Sequence, residues 1–186
     1  MPNINELRSL LSDQPREPIQ FDLSPIEPAL AASVRYLESP EAMQSIEVCP
    51  YWPKWDSPWW HMAVLFEMGM ADKIPKAAAK KMLSEVAATH LPYLFRDEAP
   101  KDKTPKQDAP CACSFGNIYQ IINATGLNFD SELPWARGWF VRYQMPDGGL
   151  SCDEGAYRAD ANASSLVATI APLEAILSTP GRLTPD

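Results

Sequence analysis

The chain has 186 residues, of which 46% are hydrophobic and 22% are charged, a balance typical of one globular domain with its own core. Its formal net charge of −8 argues against a nucleic-acid partner and against an anionic membrane surface, because no basic stripe is present to neutralise phosphates. The N-terminus lacks a secretory signal pattern, and no apolar run approaches the roughly 20 residues that span a bilayer. We therefore expect a cytoplasmic protein with no membrane span and with its four cysteines reduced.

Apolar residues at three- and four-residue spacing predict an all-α domain over residues 1–186, and no alternating strand pattern of comparable quality competes. Residues 1–20 are assigned to an N-terminal helix and linker, residues 24–178 to a repeated helical unit, and residues 179–186 to a tail. The predicted helices, in chain order, run near Ile4 to Leu11, Ile26 to Glu38, Pro58 to Met68, Pro75 to His90, Ser114 to Ala124, Pro134 to Tyr143 and Ser164 to Leu177.

Several helix ends carry chemical signatures. Asp56 or Ser57 can cap the helix that has Pro58 in its first turn. Gly69 and Gly126 each follow an apolar stretch, at the place where a left-handed residue commonly ends a helix. These positions predict where two of the longer helices begin or end.

A repeat of about 50 residues organises the chain, a period that suggests a solenoid or a ring. Residues 56–69, 113–126 and 165–178 are three apolar segments of similar composition, and each is apolar on nearly all faces. The intervening helix near residues 75–90 instead carries lysine, serine and glutamate on one face. We therefore predict three helical hairpins with an inner and an outer layer.

A motif at residues 135–150, WARGWFVRYQMPDGGL, lies between the second and third apolar segments. An aromatic helix ends at Gln144 and leads into a turn with Asp147, Gly148, Gly149 and the apolar Leu150. The glutamine can satisfy backbone groups at the helix end, and the two glycines permit a turn that a Cβ would hinder. The motif resembles the repeat of squalene and oxidosqualene cyclases and of protein prenyltransferase β subunits, in which tryptophan usually stands at the position of Leu150.

The resemblance implies an α/α-toroid, in which parallel inner helices surround a central cavity. Full members of the superfamily close the ring with about six hairpins, whereas this chain has material for about three, which would expose apolar helix faces at two edges. We therefore expect a homodimer, or pairing with a second toroid half.

If the inner helices are parallel, their N-termini lie at the same rim of the helical ring, and the four cysteines, which lie near these N-termini in sequence, would come to that rim. Cys111 and Cys113 offer two soft ligands, and His61, Cys152 or Asp153 could complete a tetrahedral zinc site. The resemblance implies the same metal, because protein prenyltransferases carry a catalytic zinc near an inner-helix start. The alternative is that the cysteines are reduced and pack as small hydrophobic residues.

Three residues are candidates for catalysis: Cys113, whose thiol lies where a helix dipole lowers its pKa, His61 as an acid or base, and Asp153. His61 has an equally simple structural interpretation as a hydrogen-bonded core histidine, and His90 is interpreted as a helix-end residue only.

Trp59, Trp60 and Tyr119 are candidates for lining a substrate cavity, as aromatic rings do in terpene cyclases, with core packing as the alternative. No Asp-x-Asp-Asp acid is present, so squalene-type cyclisation is not expected. The leading hypothesis is a small enzyme that binds a hydrophobic, isoprenoid-like molecule. The rival is a non-catalytic module that completes a ring with a partner chain.

Overall fold

The computed structural model describes residues 22, 24–158 and 163–177. These residues form α-helices, two short 3₁₀ turns at Ala71–Lys73 and Arg96–Glu98, and no strand, so the predicted all-α class is confirmed. The helices of the described residues are α1 Glu27–Leu37, α2 Pro40–Val48, α3 Pro58–Glu67, α4 Lys76–Thr89, α5 Ala112–Ala124, α6 Phe129–Glu132, α7 Ala136–Arg142, α8 Glu154–Arg158 and α9 Leu166–Leu177.

Six of the predicted helices are present, and the seventh, near Ile4 to Leu11, lies outside the described residues. The helix expected to begin at Pro134 begins instead at Ala136, because the short α6 occupies the residues before it and ends at Glu132. The prediction also missed α2, α6 and α8, which are short; α2 buries only Ala42 and Ile46.

The expected glycine ends of two helices are confirmed, because Gly69 and Gly126 have φ values of 71° and 86°. Ser57 is the N-cap residue of α3 with Pro58 directly after it, but its side chain makes no capping hydrogen bond, since its hydroxyl donates to the Tyr51 carbonyl at 3.3 Å. After α7, the side-chain amide of Gln144 donates to the Gly148 carbonyl oxygen at 2.7 Å. This hydrogen bond stabilises the turn, whereas the sequence predicted that Gln144 would satisfy backbone groups at the helix end.

The core is centred on α5, which buries ten of its residues and contacts both α3 and α9. Helix α1 packs on α3, and α2 packs on α4. The three apolar repeat segments therefore lie side by side in chain order, as expected of inner helices. The toroid arrangement itself stays a prediction.

Helix α9 packs on α5 through its small residues. Ala168, Ala171 and Ala175 are buried, and Gly116 of α5 comes so close to the backbone of α9 that a Cβ there would lie 2.6 Å from the Ala171 carbonyl carbon. The large apolar residues of α9 lie on the opposite side and are 44–73% exposed: Leu166, Val167, Ile170, Leu173 and Leu177. Among the described residues, no helix has the length and apolar character needed to cross a bilayer.

Candidate metal centre and aromatic pocket

Three thiols converge at the N-terminal end of α5. The Sγ atoms of Cys111, Cys113 and Cys152 all lie within 4.8 Å of one another, and those of Cys111 and Cys113 are 3.4 Å apart. Cys111 is the N-cap residue of α5, and Cys113 lies in the first turn. These three residues are called the thiol cluster below.

Cys152 reaches the cluster from the segment that follows the Asp-Gly-Gly turn. This segment is held against the start of α9, because the Leu150 amide donates to Thr169 Oγ1 at 2.9 Å and the Leu150 carbonyl accepts from the Ser165 amide at 2.9 Å. The motif that carries the toroid resemblance therefore has a local role here, since it fixes the approach of Cys152 to α5.

A fourth side chain touches the cluster from the segment before α3. Tyr51 is buried, stacks on Trp59 with ring centroids 4.8 Å apart, and places its hydroxyl oxygen 3.8 Å from Cys113 Sγ. Burial raises the pKa of Tyr51, and the neighbouring Cys113 acts in the same direction. Tyr51 is therefore a neutral hydroxyl beside the sulfur, able to donate a hydrogen bond to a thiolate.

The thiols of the cluster share protons unequally. Hydrogen bonds from Cys111, and then from Cys152, hold the pKa of Cys113 well below its usual range, and Tyr51 and the positive charge of Lys54 act in the same direction. The pKa of Cys111 is raised chiefly because it donates to Cys113, and the pKa of Cys152 is raised chiefly because it donates to Cys111 and Cys113. The arrangement thus stabilises one thiolate, at Cys113.

The donor set fits a soft or borderline metal ion. Zinc prefers thiolate ligands, and tetrahedral Zn–S bonds of about 2.3 Å separate the sulfurs by about 3.8 Å. The Sγ atoms of Cys111 and Cys113 are 3.4 Å apart and no pair in the cluster is more than 4.8 Å apart, so the sulfur separations are close to this value. Three ligands from the described residues would leave one tetrahedral position open, as in catalytic rather than structural zinc sites.

His61 and Asp153, proposed from the sequence to join the cluster, are not members of it. His61 Nδ1 lies 3.1 Å from Ser33 Oγ, whose proton is donated to the Ala29 carbonyl, so the imidazole must be the donor. Burial lowers the pKa of His61. This geometry matches the structural interpretation of the histidine, and the expectation that it lies beside the thiols is wrong.

Asp153 is exposed and caps the short helix α8, where its Oδ1 accepts from the Gly155 amide at 2.9 Å. Cys49, expected at the same rim, is also separate from the cluster, and its sulfur accepts from the Trp52 amide at 3.3 Å. Of the four cysteines, therefore, three come together.

Beside the cluster lies a pocket of about 380 Å³, lined mainly by aromatic and aliphatic side chains. Trp59 and Trp60 line it as expected, and Cys113 contributes to its wall. Tyr119, the third predicted lining residue, is not part of this wall; its hydroxyl lies 3.1 Å from Asp130 Oδ2 and accepts from Arg137 Nε at 2.9 Å. The remaining lining residues are Tyr51, Lys54, Trp55, Ala63, Val64, Glu67, Met68, Asn117 and Val167.

A second, more polar pocket of about 260 Å³ lies on the side of Cys111, with His90, Asp108 and Ser114 in its wall. Thr89 Oγ1 donates to the Glu85 carbonyl, so the proton between His90 Nδ1 and Thr89, 3.0 Å apart, belongs to the histidine. Burial lowers the pKa of His90 to about 4. His90 is therefore a neutral imidazole with Nε2 as an acceptor, not merely a helix-end residue.

The cluster separates the two pockets, because Cys111 lines the polar one, Cys113 the aromatic one, and Tyr51 both. No protein-family model matches the chain, and comparisons with curated proteins and with solved structures give no match.

Proposed function

We propose that the chain is a small enzyme that binds a zinc ion through Cys111, Cys113 and Cys152 and accepts a hydrophobic, isoprenoid-like molecule in the pocket beside Trp59 and Trp60. The single observation that carries the proposal is the convergence of three thiol sulfurs within 4.8 Å at the wall of an aromatic pocket. When bound, the ion supplies Lewis-acid activation of a group at its open position.

The residues of the chain have separate tasks in this proposal. Cys113 is the thiolate that first attracts the cation, and Tyr51 donates a hydrogen bond to its sulfur. The rings of Trp59 and Trp60, whose centroids are 5.4 Å apart at an angle of 79°, form an apolar wall that excludes water from the reacting group. The cytoplasm suits these thiols, since a reducing compartment keeps them available for a metal.

Metal content tests the zinc part directly. The full chain, purified without chelator, should contain about one equivalent of zinc, whereas Cys113→Ser and Cys152→Ser should lose most of it. Cys49→Ser is the matched control and should keep the metal, because Cys49 lies outside the cluster. Less than about a tenth of an equivalent of any transition metal in the unmodified chain would dismiss the proposal.

Cobalt substitution tests whether the site is catalytic in type. An open position accepts an exogenous ligand such as imidazole, so imidazole should shift the visible spectrum of the Co²⁺ protein. A spectrum that does not respond would mean four protein ligands and a structural site.

The exposed apolar face of α9 favours a second function, assembly with another copy of the chain. The five outward apolar residues surround one exposed carboxylate, that of Glu174, so pairing about a two-fold axis is favoured by burial of the apolar side chains and opposed by the approach of the two Glu174 charges. Light scattering should detect a dimer at micromolar concentration. Leu173→Glu should dissociate it, and Val141→Glu, at an exposed valine of α7, should not. A stable unmodified monomer contradicts this assembly.

A further inference from the structure

One ammonium group in the wall of the aromatic pocket, that of Lys54, has no ion-pair partner among the described residues. Lys54 Nζ lies 5.4 Å from the ring centroid of Trp55 and 5.9 Å from that of Tyr51. No carboxylate in the described part of the chain lies within ion-pair distance of it. Lys76 and Lys80 are also unpaired among the described residues, but they are exposed and do not line the pocket. Lys54 is thus held by ring faces in a largely apolar wall.

A second polar group of this wall also lacks a partner. Trp59 is 3% exposed, and its indole N–H has no hydrogen bond to the described residues. This nitrogen has almost no accessible surface, so it lies beneath the wall of the pocket. Lys54 is therefore the charged donor that the wall offers to an oxygen ligand.

The pocket extends from Lys54 along α3. Its lining follows one face of the helix from Trp59 and Trp60 through Ala63 and Val64 to Glu67 and Met68. Met68 lies nine positions after Trp59, which corresponds to about 14 Å of helix. Lys54 and the thiol cluster lie near the Trp59 end of this apolar pocket, and Glu67, the carboxylate of its lining, lies at the other end.

We propose that the pocket binds a monocarboxylate with a linear apolar body, its carboxylate paired with Lys54 and its body lying along α3. This inference rests on the proposed function and specifies its substrate class. A carboxylate matches one ammonium group, whereas a diphosphate would bring several negative charges to a pocket whose other charged residue is Glu67. A volume of about 380 Å³ accommodates a chain of medium length.

Decanoate and decan-1-ol are the probes, because they share an apolar body and differ in the charge of the head group. Binding to the metal-loaded full chain is followed by tryptophan fluorescence and by calorimetry. Decanoate should bind about tenfold more tightly than decan-1-ol, the difference expected for one partly buried charge-assisted contact. Lys54→Met should reduce this preference to about twofold or less, and Lys54→Arg should keep most of it.

Lys80→Met is the matched control, because Lys80 is exposed on α4 and does not line the pocket. Circular dichroism of each variant establishes that it is folded. If Lys54→Met keeps the full preference, the carboxylate binds the metal rather than Lys54, and the inference is overturned.

The two proposals can fail separately. Equal binding of decanoate and decan-1-ol overturns the carboxylate inference and leaves the apolar pocket of the proposed function intact. If neither probe binds, both the apolar pocket and the inference fail, whereas the zinc content is measured independently on the same preparation.

Discussion

The sulfur atoms of Cys111 and Cys113 lie 3.4 Å apart across the first turn of α5. Two thiols so close cannot both ionise easily, because the second negative charge would meet the first in a partly buried site. The proton therefore stays on one sulfur and hydrogen-bonds to the other. Since Cys152 also donates to the pair, the electron-rich sulfur is that of Cys113.

The metal-free, reduced chain should react with iodoacetamide first at Cys113. The thiolate is the nucleophile, and the lowered pKa of Cys113 keeps it ionised at neutral pH. Its labelling rate should change little between about pH 6 and pH 8, whereas the rate of an ordinary thiol rises nearly tenfold per pH unit below its pKa. Peptide mass spectrometry over a time course resolves the individual cysteines.

Cys152 is the internal comparison, because it is exposed but its pKa is raised by the hydrogen bonds it donates. If accessibility alone decided the rate, Cys152 would be labelled before the buried Cys113. That order would refute the assignment of the thiolate to Cys113. Added zinc should protect all three cluster residues and leave Cys49 unprotected.

His90 should make the fold sensitive to mild acid. Its folded pKa of about 4 lies below the unfolded value of 6.5, so between these pH values the unfolded chain binds a proton that the folded chain does not. The stabilisation from the neutral His90 is therefore complete above about pH 6.5 and is lost as the pH falls toward 4. The loss in the free energy of unfolding reaches up to about 3 kcal/mol. Urea unfolding at pH 7, 5 and 4 measures it.

The variant His90→Gln isolates this contribution, since glutamine keeps a neutral polar side chain that does not titrate. Between pH 7 and pH 4, the free energy of unfolding of His90→Gln should fall by about 3 kcal/mol less than that of the unmodified chain. His61, whose pKa is also lowered by burial, is unchanged in both proteins and cancels in the comparison. Equal losses in the two proteins would show that His90 is not responsible.

The helices could be predicted because their apolar periodicity is a local signal. The predicted ends of α3, at Pro58 and before Gly69, depend on proline and glycine, whose backbone preferences are independent of the rest of the fold. The helices that were missed, such as α2, are short and bury few side chains, so their pattern in the sequence is weak.

The candidate site was only partly predictable. Cys111 and Cys113 are neighbours in sequence, and the repeat brought Cys152 to the same rim, so these three were found. Tyr51 contacts Cys113 across 62 residues, and no local pattern marks that contact. His61 was misplaced because a position near a helix start does not define the direction of its side chain, which points to Ser33.

The close approach of α5 and α9 gives the sharpest stability prediction, and two glycines supply the test and its control. Gly116→Ala should destabilise the fold by about 3 kcal/mol or more, because a Cβ at Gly116 would meet the backbone of α9 at Ala171 and Pro172. Gly138→Ala, on the exposed side of α7 with nothing within 4 Å of its Cβ position, should instead stabilise it by about 0.5–1 kcal/mol. Urea unfolding at pH 7 compares both variants with the unmodified chain.

Because the start of α9 holds the Cys152 segment, Gly116→Ala should also reduce the zinc content, whereas Gly138→Ala should not. Equal stability of the two variants would mean that α9 does not pack on α5 at Gly116.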